Sequence, residues 1–300
     1  MTTVETTAAP GSALRVALRT AHSRSLADLG LNAIGRARFG WRDRSIGSVV
    51  ERAGGRYWLR VVWSARDRAR GSWWTGNRDA SQIDGVAKPR LLEVRAWEEG
   101  PLVYRAELMT LLPGRACATD AVLAGAPALD ESWWGELERN LEALSDARTD
   151  RMVLDPEIMR RRISVFFGIE MDIDSDDWVP SHGDLHWNNI HRDPFAIADW
   201  EAWGLAPRGY DAAFLLGHSL AVPHVADQIA RRFRRDLESE GGIVSQLYVM
   251  TKLLTRADAG EHEHLVPALH RHVGRLLGTR VPPGRCLLYT SPSPRDLSTS

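Results

Sequence analysis

Apolar positions along this chain keep a strand-like rhythm as far as Pro113 and a helix-like one beyond it. Ser45–Arg52 and Arg56–Trp63 read as two β-runs joined by Ala53-Gly54-Gly55, a short glycine-bearing connection that signals a hairpin. Within Tyr57–Val62 the alternation places Trp58, Arg60 and Val62 on one face. Lys88-Pro89 leads into a further strand through Leu91, Leu92 and Val94, and Leu102–Thr110 gives another. Leu111-Leu112-Pro113-Gly114 then breaks the regular structure. Ala13–Leu31 is only weakly helical, with Leu14, Leu18 and Leu29 among arginines, and reads as an N-terminal extension. Between Trp73 and Lys88 there is room for one short helix at most.

Past Gly114 the period lengthens. Trp133, Trp134, Leu137, Leu141 and Leu144 recur at three- and four-residue steps, an amphipathic stripe that buries one face. Ile158–Phe167 predicts a second helix with Arg160, Arg161 and Arg162 on its wet side. Ala212–Leu220 predicts an apolar helix opened by Gly209-Tyr210-Asp211, with Asp211 suited to cap it. Val225–Glu238 predicts a basic amphipathic helix, Ile243–Leu254 a buried one, and Leu265–Leu277 closes the set. His262, His264, His270 and His272 are expected to decorate a surface.

Composition narrows the choices. Three hundred residues suffice for two lobes, and a formal charge of −1 gives no electrostatic case for a nucleic-acid partner. No apolar run approaches the roughly twenty residues that span a bilayer. MTTVETTAAPGSA is polar and acidic rather than a leader, and the two cysteines, Cys117 and Cys286, make no disulfide framework. A reducing cytoplasm is therefore the expected location. Of the 38 basic residues only Lys88 and Lys252 are lysines, a skew typical of a GC-rich genome.

The chemistry concentrates in SHGDLHWNNIHRDPFAIADWE, Ser181–Glu201. Asp184 follows His-Gly, Asn189 lies five residues on, and Asp199 ends the apolar run Phe195–Ala198. Phosphoryl transfer needs one carboxylate to orient and deprotonate a hydroxyl, and oxygen ligands to fix Mg²⁺ on phosphates. Two other readings stay open on the residues alone. His182, His186 and His191 are spaced so that a zinc site is conceivable, and a solvated polar loop without chemistry is the plainest choice. Asn188 falls outside the spacing and suits a hydrogen-bonding role in the loop. The acidic run Asp172, Asp174, Asp176 and Asp177 could steer a polyamine, although such a run in a loop is usually just solvated.

HGDLHWNNI, followed by IADWE and GYDAA, resembles the aminoglycoside phosphotransferase and choline kinase superfamily, relatives of the protein kinases. The likeness points towards aminoglycoside-phosphotransferase-like proteins of high-GC actinobacteria. It implies an α+β, protein-kinase-like bilobal fold with a small antiparallel β N-lobe and a larger, mainly helical C-lobe. The implied division is 1–108 for the first lobe with its extension, 109–115 for a hinge and 116–285 for the catalytic lobe. The implied activity is transfer of the γ-phosphoryl group of ATP, with Mg²⁺, to the hydroxyl of a small molecule such as an aminoglycoside, sugar or amino alcohol. Asp184 would be the catalytic base, Asn189 and Asp199 the magnesium ligands, and His182 and Asp211 supports of the loop. ATP would lie between the lobes, its adenine edge on the main chain of Met109–Leu112, with Met109 and Leu111 as candidate contacts.

The first lobe departs from the family pattern. Arg60 stands where a phosphate-gripping lysine is usual, and arginine is not interchangeable with lysine. An exposed edge-strand arginine is the rival reading. Phe39–Ser48 could cover the phosphates, though glycines between strands usually just turn the chain. No glutamate stands between Trp73 and Lys88, so Asp79 is the nearest candidate for an acidic partner of Arg60 and the pair stays open. These departures keep two alternatives in play: a nucleotide-binding pseudokinase scaffold, or a nucleotidyl transferase on the same fold. Finally, Cys286–Asp296 reads as the in-frame translation of a transposase-end sequencing adapter, so 286–300 is expected to be a library artefact.

Overall fold

The computed structural model describes residues 10–278. The polar N-terminus before Pro10, Cys286 and the adapter-like tail lie outside the described residues. The chain divides into two compact units, one running to Ser81 and including Lys88–Pro113, the other comprising Gln82–Ala87 and the chain from Gly114 on. The first is built on an antiparallel five-stranded sheet and the second is mainly helical, an α+β, protein-kinase-like architecture.

In the first unit a helix α1 (Pro10–Asp28) precedes strands β1 (Asn32–Phe39), β2 (Ser45–Arg52) and β3 (Gly55–Ala65). A short helix α2 (Ser72–Asp79) and strands β4 (Leu91–Glu99) and β5 (Leu102–Thr110) complete it. The strand order is β1-β2-β3-β5-β4. Ala53 and Gly54 both take positive φ, so the β2–β3 hairpin turns within two residues. Leu59 and Val61 of β3 join Tyr104, Ala106 and Leu108 of β5 in a core that Leu18 and Ala21 of α1 cover.

That helix corrects the expectation of a weakly helical extension. Its buried stripe is built from Leu18, Ala21, His22 and Ser25, too polar and too small to register as an apolar period. Its arginines lie over rings instead, Arg15 and Arg19 over Phe39 and Arg24 over Trp97. Phe39–Ser48 is the end of β1, a 3-10 turn at Trp41–Asp43 and the start of β2, with Gly47 in register with Arg60.

The second unit holds strands β6 (Arg115–Ala116), β7 (Val179–Ser181), β8 (Ile190–Arg192), β9 (Ala196–Ile197) and β10 (Gly204–Ala206). Its helices are α3 (Glu131–Ser145), α4 (Pro156–Phe167), α5 (Tyr210–Gly217), α6 (Pro223–Arg232), α7 (Arg234–Leu237), α8 (Glu240–Asp258) and α9 (Val266–Leu276). Asp130 caps α3 through the Trp133 N–H, Asp155 caps α4, and Ser239 caps α8. Trp133 and Trp134 pack on Trp187 of the loop after β7, a buried aromatic cluster that anchors the loop. Trp187 also donates from Nε1 to Ser219 Oγ at 2.8 Å.

Several helix expectations change. The single helix over Val225–Glu238 is two, because Phe233 leaves helical geometry at φ −100° and ψ 23°. Of the three consecutive arginines on α4, only Arg161 is exposed. Arg160 donates to the Met171 and Ile173 carbonyls, and Arg162 reaches Thr251 and Thr255 on α8. His272 is buried, with Nε2 2.9 Å from Gln246 Oε1, rather than on the surface. Among the described residues no helix is long and apolar enough to cross a membrane.

Candidate active site

The segment Ser181–Glu201 forms two short strands with a loop before each and a sharp turn after them. β7 delivers His182 and Gly183, the loop carries Asp184 and Asn189, and β8 and β9 pair so that Ile190 faces Ile197. Asp199 sits just beyond β9 at φ +60°.

Hydrogen bonds weld these pieces together. His182 Nε2 donates to the Ala198 carbonyl at 2.9 Å, since a carbonyl can only accept. Its Nδ1 is thereby left as the acceptor that faces the Asp184 N–H at 3.4 Å. Ala198 N–H donates to the Asn189 carbonyl at 2.8 Å, which ties the residue before Asp199 to the loop. Asn189 Nδ2 donates to the Asp184 carbonyl at 3.0 Å and approaches its Oδ2 at 3.5 Å. His182 is fully buried, its ring edge-on to Trp200 at 4.9 Å, so it braces the loop and does not face solvent.

From below, the Asp211 carboxylate accepts the His182 N–H at 2.6 Å and the Gly183 N–H at 2.9 Å. Asp211 therefore does not cap α5. The N-cap is Gly209, and Asp211 stands inside the first turn with its side chain turned to the loop. Burial, partly offset by these bonds and by His182, leaves its pKa raised.

Asp184 is half-buried, with His186 Nε2 3.5 Å from Oδ2. Burial alone would raise its pKa, but His186, Arg256 and Lys252 outweigh it and hold the carboxyl well below the usual carboxylate range. It is ionised throughout the neutral range. His218, on the residue after α5, is fully buried, and burial together with His186 and Arg256 pushes its pKa down to about 3. Asp184 is thus an ionised carboxylate on which Lys252 and Arg256 act, with the neutral His218 near His186.

The donor set suits magnesium. With Nδ2 turned to Asp184, Asn189 presents Oδ1 with no donor among the described residues, and Asp199 adds a carboxylate; both are hard oxygen ligands. The zinc reading fails on placement. Among the described residues no group of three or more His, Cys, Asp or Glu side chains is placed to hold a metal ion. His191 Nδ1 turns to the Gly114 carbonyl at 3.2 Å instead. Asn188 donates to the Ala118 carbonyl at 2.9 Å, a loop contact. Cys117 is a free thiol whose pKa burial pushes up to about 12, which disfavours the thiolate at neutral pH.

In the first unit Arg60 is no exposed edge residue. β3 is flanked by β2 and β5, and Arg60 Nη1 lies 3.4 Å from Oε2 of Glu107, its register partner on β5. Glu107 is 1% exposed and also faces Arg105 Nη2 at 2.9 Å and Asn77 Nδ2 at 2.8 Å. Glu107, on the neighbouring strand, is thus one acidic partner of Arg60, and the helix supplies an asparagine to Glu107. Asp79, the residue named from sequence, takes the Thr75 hydroxyl at 2.5 Å and lies beside Arg78. Met109 falls inside β5, in register with Trp58 and Leu91, whereas Leu111 lies past the strand end.

Sequence reasoning missed Glu107, Asn77, Tyr210, His218, Lys252 and Arg256. Only Lys252 carried a signal. It is one of two lysines in an arginine-rich chain and stands in the middle of an apolar helix.

No protein-family model matches the chain, and no curated protein matches it in sequence. The fold is shared with solved structures. Aminoglycoside phosphotransferase APH(4)-Ia superposes with a TM-score of 0.53 at 12% identity, over 89% of this chain and 96% of that one. A thermostable mutant of that enzyme, in ternary complex with AMP-PNP and hygromycin B, gives 0.51 at 13% identity over 88% and 95%. The chain thus has the protein-kinase-like fold of the aminoglycoside phosphotransferases.

Proposed function

We propose that this protein is a Mg²⁺-dependent phosphotransferase that moves the γ-phosphoryl group of ATP to a hydroxyl of a small molecule. The observation that carries this reading is the network joining Asp184, Asn189 and the residue before Asp199 through His182 and main-chain bonds. We read this network as the frame that would carry one carboxylate and two oxygen ligands. Phosphoryl transfer asks for positioning and charge stabilisation more than for covalent chemistry.

In this reading Asp184 orients the acceptor hydroxyl and takes its proton as transfer proceeds. A carboxyl held so far down is a weak base, so its part is orientation first and proton acceptance late. Asn189 Oδ1 and Asp199 would hold Mg²⁺, which would supply charge neutralisation on the phosphate oxygens when bound. Arg60 is the phosphate contact in the first unit, with Glu107 fixing its guanidinium. Leu111, past the end of β5, offers main-chain groups to the adenine edge, with Met109 beside it. The solved structure of the same fold in complex with AMP-PNP and hygromycin B supports a nucleotide and a small molecule as the two substrates. A cytoplasmic location fits a reaction that consumes ATP.

The test is Mg²⁺-dependent ADP release with a mixed library of hydroxyl-bearing metabolites and aminoglycosides. Asp184→Ala and Asp199→Ala should each abolish it. Wild-type-like turnover in Asp184→Ala would sink the mechanism. Label transferred from γ- but not α-labelled ATP would exclude nucleotidyl transfer.

A further inference from the structure

Strand β4 ends the sheet of the first unit, with β5 as its only neighbour among the described residues. Every second N–H and C=O along it therefore points away from the sheet, a row able to pair with a further strand. Leu92 and Val94 are exposed on this strand, at 40% and 36%, and Ala96 is exposed with them. Trp97 is already engaged, stacked on Tyr104 with Arg24 over its ring. Glu93 lies 2.5 Å from Arg52 Nη1 through one carboxylate oxygen and is still a third exposed, at 33%, which leaves its second oxygen for another donor. Arg95 is exposed and has no ion pair among the described residues.

Proteins commonly guard a sheet edge with charge. On β4 the charges have both signs, so their effect on a second copy of the strand depends on register. A two-fold axis normal to the sheet sets one residue against its own copy and its neighbours against each other in reverse order. Centred on Glu93 or Arg95, the axis sets like charges face to face. Centred on Ala96, it sets Glu93 against Glu99 and Val94 against Glu98. Centred on Trp97, it sets Ala96 against Glu98 and runs Val94 into the Gly100 turn. Centred on Val94, it sets Glu93 against Arg95 twice, Leu92 against Ala96 twice, and Val94 against itself. Opposite charges and apolar pairs directly across two strands stabilise, whereas like charges destabilise. The register shift against β5 falls between Leu91 and Glu93, at the end of this stretch, so Glu93, Val94 and Arg95 keep regular pairing. The opposite edge offers no such match. β1 carries Arg36 and Arg38 and no acid, so two copies of it would repel.

We propose that the protein forms a two-fold dimer in which β4 pairs antiparallel with β4 of a second copy, Val94 on the axis. The pairing joins the two five-stranded sheets into one, matches the exposed apolar side chains with each other and gives each Arg95 a carboxylate.

Light scattering on the wild-type protein at micromolar concentration should give close to twice the 33.5 kDa of one chain. Val94→Lys, which sets two ammonium groups on the axis, should give the mass of one chain. Glu93→Arg and Arg95→Glu should each be monomeric alone, because each sets like charges opposite one another. An equal mixture of the two should dimerise, since the arginines of one chain then face the glutamates of the other. Val94→Cys reads the register directly. Residues opposed across antiparallel strands have Cα atoms about 4.5–5.5 Å apart, within disulfide reach, so mild oxidation should cross-link this dimer. Ala96→Cys, whose own copy lies four residues along, should not cross-link. Val94→Cys changes little in size and keeps the test decisive where a charged variant does not fold. A monomeric wild-type protein would overturn the proposal. So would a dimer that survives Val94→Lys, a mixture of the charge variants that stays monomeric, or cross-linking through Ala96→Cys but not Val94→Cys.

Discussion

The carboxylate of Asp211 accepts two successive main-chain N–H groups, those of His182 and Gly183, with one oxygen for each. The bond to His182 is 2.6 Å long and buried at both ends. A side chain on α5 thus sets the path of the backbone that presents Asp184. Charge-assisted bonds of this kind are shorter and stronger than neutral ones, and a buried N–H left without an acceptor costs about 1–3 kcal/mol.

Asparagine cannot replace Asp211, because its amide offers one acceptor and one donor where two acceptors are needed. Asp211→Asn should lower turnover by at least about tenfold and stability by about 1–3 kcal/mol. The two losses should appear together, because one contact serves both. Denaturant unfolding and ADP-release kinetics on the same preparation check this. Unchanged stability would show that the loop holds its shape without the carboxylate.

Gly183 is constrained twice. Its φ is +82°, and a Cβ built there would fall 2.2 Å from the Ala202 carbonyl oxygen. Backbone, not a flexible side chain, is what it would strike. Gly183→Ala should therefore cost at least about 1–2 kcal/mol for the left-handed conformation alone, with more for the displaced main chain. Asp184 follows directly, so kcat should fall while the substrate KM values change less. A folded Gly183→Ala protein with wild-type kcat would mean the turn can open away from Ala202 without moving Asp184.

What could be read from the sequence was what lay within one segment. Asp184, Asn189 and Asp199 stand within a few turns of chain, and their order alone suggested oxygen ligands and a base. The β3 alternation placed Arg60 correctly on the face with Trp58 and Val62, but its carboxylate partner depends on which strand lies beside β3. That register joins residues 47 apart, and no local pattern carries it. β1 was missed because NAIGRARF pairs on one side only and buries little. Lys252 was hidden because α8 is apolar through most of its length, so its one lysine vanished into a core helix. Lys252 and Arg256, which act on Asp184, come from α8, and only the fold brings them to the loop.

Glu107 is the most demanding residue of the first unit. It is buried with two guanidiniums and the Asn77 amide around it. Breaking a buried pair from one side leaves the opposite charge uncompensated, a loss of about 3–5 kcal/mol. Glu107→Leu should destabilise by that order, and Glu107→Gln, which keeps an acceptor, by less. If Arg60 grips phosphate, Glu107→Gln should also raise KM for ATP more than KM for the acceptor. Urea unfolding of the variants and nucleotide titration measure the two effects. A loss below about 1 kcal/mol in Glu107→Leu would show that solvent compensates the guanidiniums.

His272 predicts how stability responds to acid. Burial on α9, together with Arg275, pushes its pKa down to about 4, while Nε2 stays bonded to Gln246 Oε1. In the unfolded chain the imidazole returns to an ordinary value of about 6.5. Between these two values the unfolded state takes up a proton that the folded state refuses, so stability falls as pH drops through that window and levels off below about 4. The separation corresponds to about 3 kcal/mol at most. His218 acts in the same direction, with its pKa near 3, so the contribution of His272 has to be read as a difference. His272→Gln, which retains a donor towards Gln246, should flatten the slope of urea midpoint against pH between about 6.5 and 4 while His218 keeps its share. Parallel slopes for wild type and variant would place the acid sensitivity elsewhere.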